Sequence, residues 1–349
     1  MVKVLIVDDS VFMRTVIRDM LAKDVSIEIV GTASNGLDAL EKIKALSPDL
    51  VTLDIEMPQM NGLEVLKELQ KIKKHPKILM LSSLTSKDAD MTCKAIQLGA
   101  DDFMLKPKDL PHIREIGEEL IAKVKHIATL SSSGIPHKLP VSPASSADRV
   151  VLIGSSAGGP QQVDTLLSML SPDLPASVII TQHMPVGFTA PLAERFNRIA
   201  TMPVKETQNG DMLETGKILL SKAGVHTVVS GVMGENGKMT GRIVHTTSPP
   251  VHGVRPAVDK TFESAAHVYG KNALSVILSG MGNDAGEGAH AIKEAGGVSL
   301  ICDEKDCLVY GMARSAIRNN AVDQILPLHK LAKEIERVVL MMEGTCVRI

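Results

Sequence analysis

Short apolar segments alternate with amphipathic ones along most of the chain of 349 residues, and one stretch rich in serine and proline interrupts them. Before the interruption, the spacing of leucine, isoleucine and valine between the apolar segments is typical of helices. Strands are predicted at Val4–Val7, Ile27–Ala33, Leu50–Leu53, Ile78–Leu81 and Asp102–Leu105. Because strands that alternate with helices form parallel sheets, residues 1–126 are predicted to be a five-stranded parallel (βα)5 domain.

The interruption runs from Thr129 to Asp148, and we predict a linker over residues 127–148. The alternation then resumes, with strands predicted at Val150–Ile153, Ser177–Thr181, Lys217–Leu220, Arg242–His245, Leu274–Leu278 and Val298–Ile301. Helices are predicted at Gln161–Leu170, Thr189–Ile199, Val258–Tyr269, Asn283–Ala295 and Leu328–Met342. Turn residues between Lys222 and His252 predict a β-hairpin or two. Residues 149–349 are therefore predicted to form a doubly wound α/β domain with a mostly parallel sheet.

The composition narrows the classes of function. A net charge of −2 offers no basic field for nucleic acid, and an aromatic content of 2% without tryptophan is unsuited to stacking bases. The cysteines form no Cys-x-x-Cys pair and lack zinc-finger spacing, which favours free thiols in a reducing compartment. No apolar run approaches the ~18 residues of a membrane span, and no signal peptide is visible. We expect a cytoplasmic protein that neither binds nucleic acid nor inserts into the membrane.

Polar residues follow the predicted strands of the first domain. Asp8 and Asp9 follow the first strand, Asp54 the third, Ser82 the fourth and Lys106 the fifth. Because ligands gather at the carboxyl ends of parallel strands, we expect these side chains at one edge of the sheet. Three carboxylates there require a cation, and Mg²⁺ fits because it prefers oxygen ligands and leaves room for phosphate. An aspartate in such a site can accept a phosphoryl group as a nucleophile.

Two longer motifs make this pattern more specific. Residues 54–62 read Asp-Ile-Glu-Met-Pro-Gln-Met-Asn-Gly, and residues 105–107 read Leu-Lys-Pro. With these motifs, residues 1 to about 125 resemble a response-regulator receiver domain. The resemblance implies phosphorylation of Asp54 and a Mg²⁺ site made of Asp8, Asp9, Asp54 and the backbone of Glu56. It also implies that the phosphoryl group is sensed by Ser82, Lys106 and Phe103.

The second domain opens with a glycine-rich turn around a serine. Residues 154–158 read Gly-Ser-Ser-Ala-Gly, and the G-x-S-x-G register places Ser156 between a strand and a helix, where its hydroxyl can be exposed. A serine nucleophile needs a base. His183 follows the next predicted strand and Asp284 follows a later one. Strand geometry can therefore bring the three side chains to one edge as a triad.

Other interpretations stay open on the residues alone. Ser155 competes with Ser156 as the nucleophile, and the competitors of His183 are His226, His245 and His252. The glycine turn is also a nucleotide-binding pattern, although it lacks the Gly-Lys-Ser/Thr of a P-loop and the G-x-G-x-x-G spacing.

Three motifs, Ile-Gly-x-Ser156-x-Gly-Gly, Thr-Gln-His183-Met-Pro and Gly-Met-Gly-Asn-Asp284, point to one family. Residues from about 149 to 345 resemble the catalytic domain of the chemotaxis protein-glutamate methylesterases, and the receiver in front gives that family's domain order. The resemblance implies Ser156 as nucleophile, His183 as general base and acid, and Asp284 as the group that orients the imidazole. It also implies that the backbone N–H of Met281 helps to hold the oxyanion.

The resemblance further implies an activity and its partners. Glutamate methyl esters on methyl-accepting chemotaxis receptors would be hydrolysed with release of methanol, and receptor glutamines would be deamidated, without a cofactor for the esterase chemistry. A chemotaxis histidine kinase would phosphorylate and activate the enzyme, which would be recruited to receptor arrays at the inner face of the membrane. The chain departs from the family at Ala157, where threonine is common, and at Val254, where histidine is common. The alternatives are a receiver joined to a DNA-binding domain and a chemotaxis adaptor without hydrolase activity.

Overall fold

The computed structural model describes residues 1–72, 75–82, 95, 98–106, 113–129, 145–233 and 239–342. The chain divides into two compact units, Met1–Ser133 and Gly134–Ile349. Of the helices described, none has both the length and the apolar character needed to cross a membrane.

The first unit contains a five-stranded parallel sheet in the order β2-β1-β3-β4-β5. Its strands are β1 (Val2–Val7), β2 (Ile27–Ala33), β3 (Leu50–Asp54), β4 (Lys77–Ser82) and β5 (Asp102–Leu105). The helices described in this unit are α1 (Val11–Leu21), α2 (Gly36–Leu46), α3 (Gly62–Leu69) and α4 (Ile113–Thr129). The predicted parallel α/β class is confirmed, and the five predicted strands correspond to the observed ones.

Both faces of this sheet are covered by apolar side chains. Along β1, Val4 and Ile6 belong to one buried cluster, whereas Leu5 and Val7 belong to another. Helices α1 and α4 contribute to the first cluster, and helices α2 and α3 contribute to the second. A parallel sheet needs such a helix layer on each face, so the polar residues that follow the strands are left at the carboxyl edge.

Side-chain caps begin three of these helices close to the strand ends. Ser10 and Asn35 each accept a hydrogen bond from the backbone N–H three residues further on, at the starts of α1 and α2. Asn61 and Glu64 form a reciprocal capping box at the start of α3. Because each cap stabilises its helix by about 1 kcal/mol, the loops between strand and helix have fixed ends.

The second unit is built on a seven-stranded parallel sheet in the order β14-β13-β12-β6-β7-β9-β8. Its strands are β6 (Val150–Ser155), β7 (Ser177–Gln182), β8 (Val204–Glu206), β9 (Ile218–Leu220), β12 (Ala273–Ile277), β13 (Val298–Cys302) and β14 (Gln324–Leu326). Its helices are α5 (Gly159–Met169), α6 (Thr189–Ile199), α7 (Val258–Tyr269), α8 (Gly286–Glu294), α9 (Gly311–Arg318) and α10 (Leu328–Met341). The strands β10 (His226–Met233) and β11 (Met239–Thr246) pair as a separate antiparallel hairpin. The predicted doubly wound class is confirmed.

Prediction and structure differ at several elements of the second unit. The elements β8, β14 and α9 have no predicted counterpart, because the two strands are only 3 residues long and the helix, 8 residues long, buries mostly small side chains. The predicted strand at Arg242–His245 lies in β11, and its pairing with β10 forms a hairpin in the segment where one or two were predicted. The helix predicted from Asn283 begins at Gly286 as α8, since the Asp284 carboxylate turns toward α7 and Ala285 takes a positive φ of 80°.

The start of α3 packs closely against the end of β3 at Asp54, and substitution of Gly62 tests this packing. A Cβ at Gly62 would overlap the carbonyl of Asp54 and lie 3.2 Å from Cα of Ile55. We expect Gly62→Ala to lower the free energy of unfolding of the first unit by about 1–3 kcal/mol, measured by calorimetry on the full chain. Gly117→Ala is the matched control, because its Cβ would meet only the side chain of Met20, at 3.3 Å or more. Equal losses in the two variants would contradict the packing argument.

Candidate functional site

The acidic residues of the first unit meet at the carboxyl edge of its sheet. β1 ends just before Asp8 and Asp9, and the neighbouring β3 ends at Asp54. The strand order reverses between β1 and β3, which opens a crevice at this point. Carboxylate oxygens of the three aspartates all lie within 4.8 Å of one another. Asp8 and Asp54 are buried, whereas Asp9 is exposed.

Lys106 provides a cation inside this cluster. Its Nζ lies 2.8 Å from Asp8 Oδ2 and 2.7 Å from Asp54 Oδ2, and its backbone N–H donates to the carbonyl of Ser82. The pKa of Asp54 is raised to about 6. Burial is the main cause and Asp8 and Asp9 contribute, whereas Lys106 lowers the pKa. Burial alone would lower the pKa of Lys106, but its contacts with the two carboxylates raise it above its ordinary value.

The donor set of this cluster fits a hard divalent cation. Three carboxylates converge, all their ligand atoms are oxygens, and one lysine cannot balance their charge. On the open side, a surface cavity gives space for water and phosphate ligands, and it is lined by Asp9, Glu56, Met57, Pro58 and Asn61. A Mg²⁺ ion would therefore be held by Asp8, Asp9 and Asp54.

The other predicted residues of this site lie on β4, in the loop after β3 and on β5. Ser82 is buried at the end of β4. This strand pairs with β3, which ends at Asp54, and with β5, which Lys106 follows. Glu56 lies in the loop after β3 with an exposed side chain. Phe103 lies in β5, and its side chain is outside the part of the structure that is described.

The raised pKa of Asp54 predicts how Mg²⁺ binding responds to pH. Asp54 is protonated below about pH 6 and then offers no negative charge to a cation. We expect Mg²⁺ affinity, measured by isothermal titration calorimetry, to fall about tenfold per pH unit below that value and to level off above it. Asp8→Asn should weaken binding at every pH. Asp49→Asn, at the opposite edge of the sheet, is the matched control, and an affinity that does not change between pH 5 and 7 would contradict the assignment.

Three neighbouring strands of the second sheet lead to the predicted catalytic residues. Ser156 directly follows β6, His183 directly follows β7, and Asp284 lies in the loop between β12 and α8. β6 pairs with β12 on one side and with β7 on the other. This is the place where a doubly wound sheet reverses its strand order and opens a crevice.

The turn that carries Ser156 is held by backbone hydrogen bonds. The N–H of Ser156 donates to the carbonyl of Ser279 at 2.9 Å, and its carbonyl accepts the N–H of Gly159 at 2.9 Å. Gly158 has a φ of 75°, a left-handed conformation that glycine adopts without strain. A Cβ at Gly280 would come within 3.1 Å of the Cβ of Ser156. The left-handed conformation at Gly158 and the close packing at Gly280 therefore favour glycine at both positions.

The two serines of this turn have different environments. Ser155 ends β6 and is fully buried, and its hydroxyl donates to Gln182 Oε1 at 2.6 Å. Ser156 is partly exposed, and within the described part of the chain its hydroxyl forms no hydrogen bond. The difference favours Ser156 over Ser155 as a nucleophile.

His183 and Asp284 form a close pair beside this turn. His183 Nε2 lies 2.7 Å from Asp284 Oδ2, and both side chains are largely buried. The carboxylate also accepts the N–H groups of Val258 at 2.6 Å and of Asp259 and Ala285 at 2.9 Å. Burial alone would raise the pKa of Asp284, but the hydrogen bonds from His183 and from the start of α7 bring it below its ordinary value. Asp284 is thus an ionised acceptor that fixes the imidazole.

The orientation of His183 decides which ring nitrogen can act as a base. Because Nε2–H donates to Asp284, the lone pair of the neutral ring lies on Nδ1. Among the described residues, no hydrogen bond joins His183 to the Ser156 hydroxyl. Catalytic hydrogen bonds of this kind often tighten only when substrate binds.

The competing histidines have other partners. His226 is buried and bonded through both ring nitrogens to backbone groups. His245 Nε2 lies 2.9 Å from the hydroxyl of Thr207, and His252 Nε2 lies 3.1 Å from Asp259 Oδ2. His226 and His245 are held by structural contacts. His252 pairs with Asp259, which lies beside Asp284.

Gln182 was not singled out by the sequence patterns, yet it joins the serine turn to the histidine. Its Nε2 donates to the carbonyl of Ser156 at 3.0 Å and to that of His183 at 3.1 Å, while its Oε1 accepts from Ser155. Its position directly before His183, inside the Thr-Gln-His motif, is the signal that could have identified it.

Met281 lies in an exposed part of the loop between β12 and α8, where its side chain is 57% exposed. The preceding Gly280 is fixed through the carbonyl of Val309 and the N–H of Met312. In the described part of the chain, the N–H of Met281 has no hydrogen-bond acceptor. It is therefore free to donate to a negatively charged oxygen.

Comparison with known proteins matches both units. Residues 4–117 match the response regulator receiver domain, and residues 151–335 match the CheB methylesterase family. The chain is 56% identical over 345 residues to protein-glutamate methylesterase/protein-glutamine glutaminase 1 of Methanospirillum hungatei, covering 99% of this chain and 100% of that protein. It is 41% identical over 351 residues to the protein-glutamate methylesterase/protein-glutamine glutaminase of Geobacillus kaustophilus, covering 97% and 99%. The catalytic domain of Thermotoga maritima CheB methylesterase superposes with a TM-score of 0.52 at 34% identity, covering 55% of this chain and 98% of that domain.

A receiver domain followed by an α/β domain with serine, histidine and aspartate at its switch point defines a response regulator with a hydrolase as output domain. The chain belongs to the CheB methylesterase family. The resemblance inferred from the sequence motifs is confirmed for both domains.

Proposed function

We propose that this protein is a phosphorylation-activated methylesterase for glutamate methyl esters on methyl-accepting chemotaxis receptors, and that it also deamidates receptor glutamines. The observation that carries the proposal is the His183–Asp284 pair, which is anchored on α7 beside the partly exposed Ser156. Relatives of nearly full length whose names give both activities support it.

The proposed chemistry uses protein groups and water. Ser156 Oγ attacks the ester carbonyl carbon while His183 Nδ1 takes the hydroxyl proton, and Asp284 stabilises the imidazolium that forms. The bond to the methoxy oxygen then breaks, and methanol leaves with the proton from His183. Water next attacks the acyl-enzyme with His183 as base, which restores Ser156 and leaves a glutamate carboxylate. With a glutamine side chain, ammonia leaves in place of methanol.

The tetrahedral intermediate needs donors for its negative oxygen. The N–H of Met281 is one proposed donor, since it lies in the loop that also accepts the N–H of Ser156 through the carbonyl of Ser279. Donors of this type are typically worth about 10²–10³ in rate. Gln182 would keep the serine and histidine backbones at a constant separation.

The receiver would control this activity through Asp54. A carboxylate oxygen of Asp54 would attack the phosphorus of a phosphohistidine on a chemotaxis kinase, and the histidine would leave. Mg²⁺, when bound, neutralises charge on the phosphoryl oxygens. Lys106 would transfer its contact from Asp54 to the phosphoryl group, Ser82 would hydrogen-bond to it and Phe103 would respond. The resulting population shift would favour an accessible catalytic cleft.

The proposed domain limits are 1–126 for the receiver, 127–148 for the linker and 149–349 for the catalytic domain, and the division into two compact units supports them. We further propose that the enzyme works in the cytoplasm, recruited to receptor arrays at the inner face of the membrane.

Methanol release from membranes that carry methylated receptors tests both parts of the proposal. Ser156→Ala is expected to lower the rate on the order of 10⁴-fold, because the nucleophile is lost. Asp54→Asn is expected to keep the basal rate but to abolish the increase that a small-molecule phosphodonor and Mg²⁺ produce in the wild type.

Ser168→Ala is the matched control, because Ser168 lies on α5 and its hydroxyl bonds only to the carbonyl of Thr165 among the described residues. It should release methanol at the wild-type rate. A folded, phosphorylated wild type that releases no methanol would leave the chemotaxis adaptor as the better explanation of the second domain.

A further inference from the structure

Asp259 is a second buried carboxylate directly behind the triad. It lies in the first turn of α7, is 1% exposed, and its backbone N–H donates to Asp284 Oδ1 at 2.9 Å. Ligand atoms of His252, Asp259 and Asp284 all lie within 4.8 Å of one another. With His183 on the far side of Asp284, four ionisable side chains form a continuous chain: His183, Asp284, Asp259 and His252.

The surroundings of Asp259 leave little room for water. Helix α8 packs so closely on this turn that a Cβ at Gly288 would lie 2.9 Å from the Cα of Asp259. The N–H of Gly288 donates to Asp259 Oδ1 at 2.7 Å, and His252 Nε2 lies 3.1 Å from Oδ2. Among the described residues, the ionisable groups beside the Asp259 carboxylate are Asp284, from the loop after β12, and His252, from the loop before α7.

Two neighbouring carboxylates in such a site do not both ionise easily. Burial and the neighbouring Asp284 together raise the pKa of Asp259 to about 7, against the lowering effects of the Gly288 N–H and His252. The pKa of Asp284 is shifted the other way, because His183 and the backbone of α7 outweigh its burial. The pair therefore shares one proton, which resides on Asp259 below neutral pH.

His252 links this proton to solvent. Its side chain is 33% exposed, whereas that of Asp259 is almost fully buried. His252 also has a φ of 51°, an uncommon conformation for a residue other than glycine, so the backbone holds the ring against Asp259 at some cost. A group in this position can take up the proton that Asp259 releases.

We propose that Asp259 and His252 are positioning residues that set the charge behind Asp284 and thereby the strength of His183 as a base. A neutral Asp259 adds no charge behind Asp284, which is then the one ionised carboxylate of the pair. An ionised Asp259 adds a second negative charge and strengthens the imidazole as a proton acceptor for Ser156. The proposal rests on the hydrolysis proposed above.

The test is the pH profile of kcat/KM for a peptide that carries glutamate γ-methyl ester, with full-length wild type and Asp259→Asn. The amide imitates the neutral carboxyl and cannot ionise. We therefore expect the two values of kcat/KM to agree within about threefold at pH 5.5. At pH 8.5 we expect the wild type to be about tenfold faster, which corresponds to about 1.4 kcal/mol in activation free energy. A ratio that stays constant between these pH values would indicate a merely structural role and would overturn the proposal.

Two further variants sharpen this experiment. Asp211→Asn is the matched control, because Asp211 bonds to Lys205 and the N–H of Gln208; its ratio to wild type should not depend on pH. His252→Gln can still donate a hydrogen bond to Asp259 but cannot carry a positive charge. Without that charge Asp259 should ionise at higher pH, so in this background the rates with and without Asp259→Asn should diverge at a higher pH. A divergence at the same pH would overturn the role of His252.

Imidazole NMR of the full chain separates this inference from the proposed function. If the wild type shows no esterase activity, the proposed function fails, but the signals of the His183 ring can still be followed, with His183→Gln for assignment. We expect the difference in ring chemical shifts between wild type and Asp259→Asn to be larger at pH 8.5 than at pH 5.5. A difference of the same size at both pH values would overturn the electrostatic link between Asp259 and His183.

Discussion

The parallel pairing of β12, β6 and β7 is the constraint on which the hydrolase site depends. The register that sets Ile277 beside Gly154, and Gly154 beside Thr181, makes the three strands end at nearly the same height. The ladder continues past the strands, since the N–H of Ser156 donates to Ser279 and that of His183 donates to Ser155. Backbone hydrogen bonds therefore position the serine and the histidine before any side chain contributes, and a one-residue slip would turn every side chain to the other face.

Both sites place carboxylates where water is largely excluded, and they balance the charge in different ways. In the receiver, one partly buried ammonium group contacts two buried carboxylates, and a third, exposed carboxylate lies beside them. In the hydrolase domain no lysine or arginine contacts Asp284 among the described residues, and its charge is met by an imidazole and by N–H groups at the start of α7. The positive end of a helix and the fixed amides make the second arrangement rigid.

The sequence predicted the strands and the strand-end residues well because parallel strands buried on both faces give dense apolar runs. The residue types at their ends, such as Asp54 and His183, then carry chemical meaning through position alone. Asp259 and Gln182 escaped because their roles depend on contacts between distant segments, which no spacing shows. The short strands β8 and β14 escaped because their pairing partners, not their own composition, stabilise them.

The contrast between the two sites follows from how completely their charges are satisfied. Asp8, Asp9 and Asp54 carry more negative charge than Lys106 can neutralise, so the receiver is built to gain a cation and to exchange one charged group for another. Asp284 has its charge met by fixed donors, so the orientation of the His183 imidazole is set before substrate arrives. Among the described residues of the second domain, Asp259 differs from Asp284, because burial and the neighbouring carboxylate raise its pKa to about 7. Under the proposal made above, this carboxyl group would alter the strength of His183 as a base without contacting Ser156.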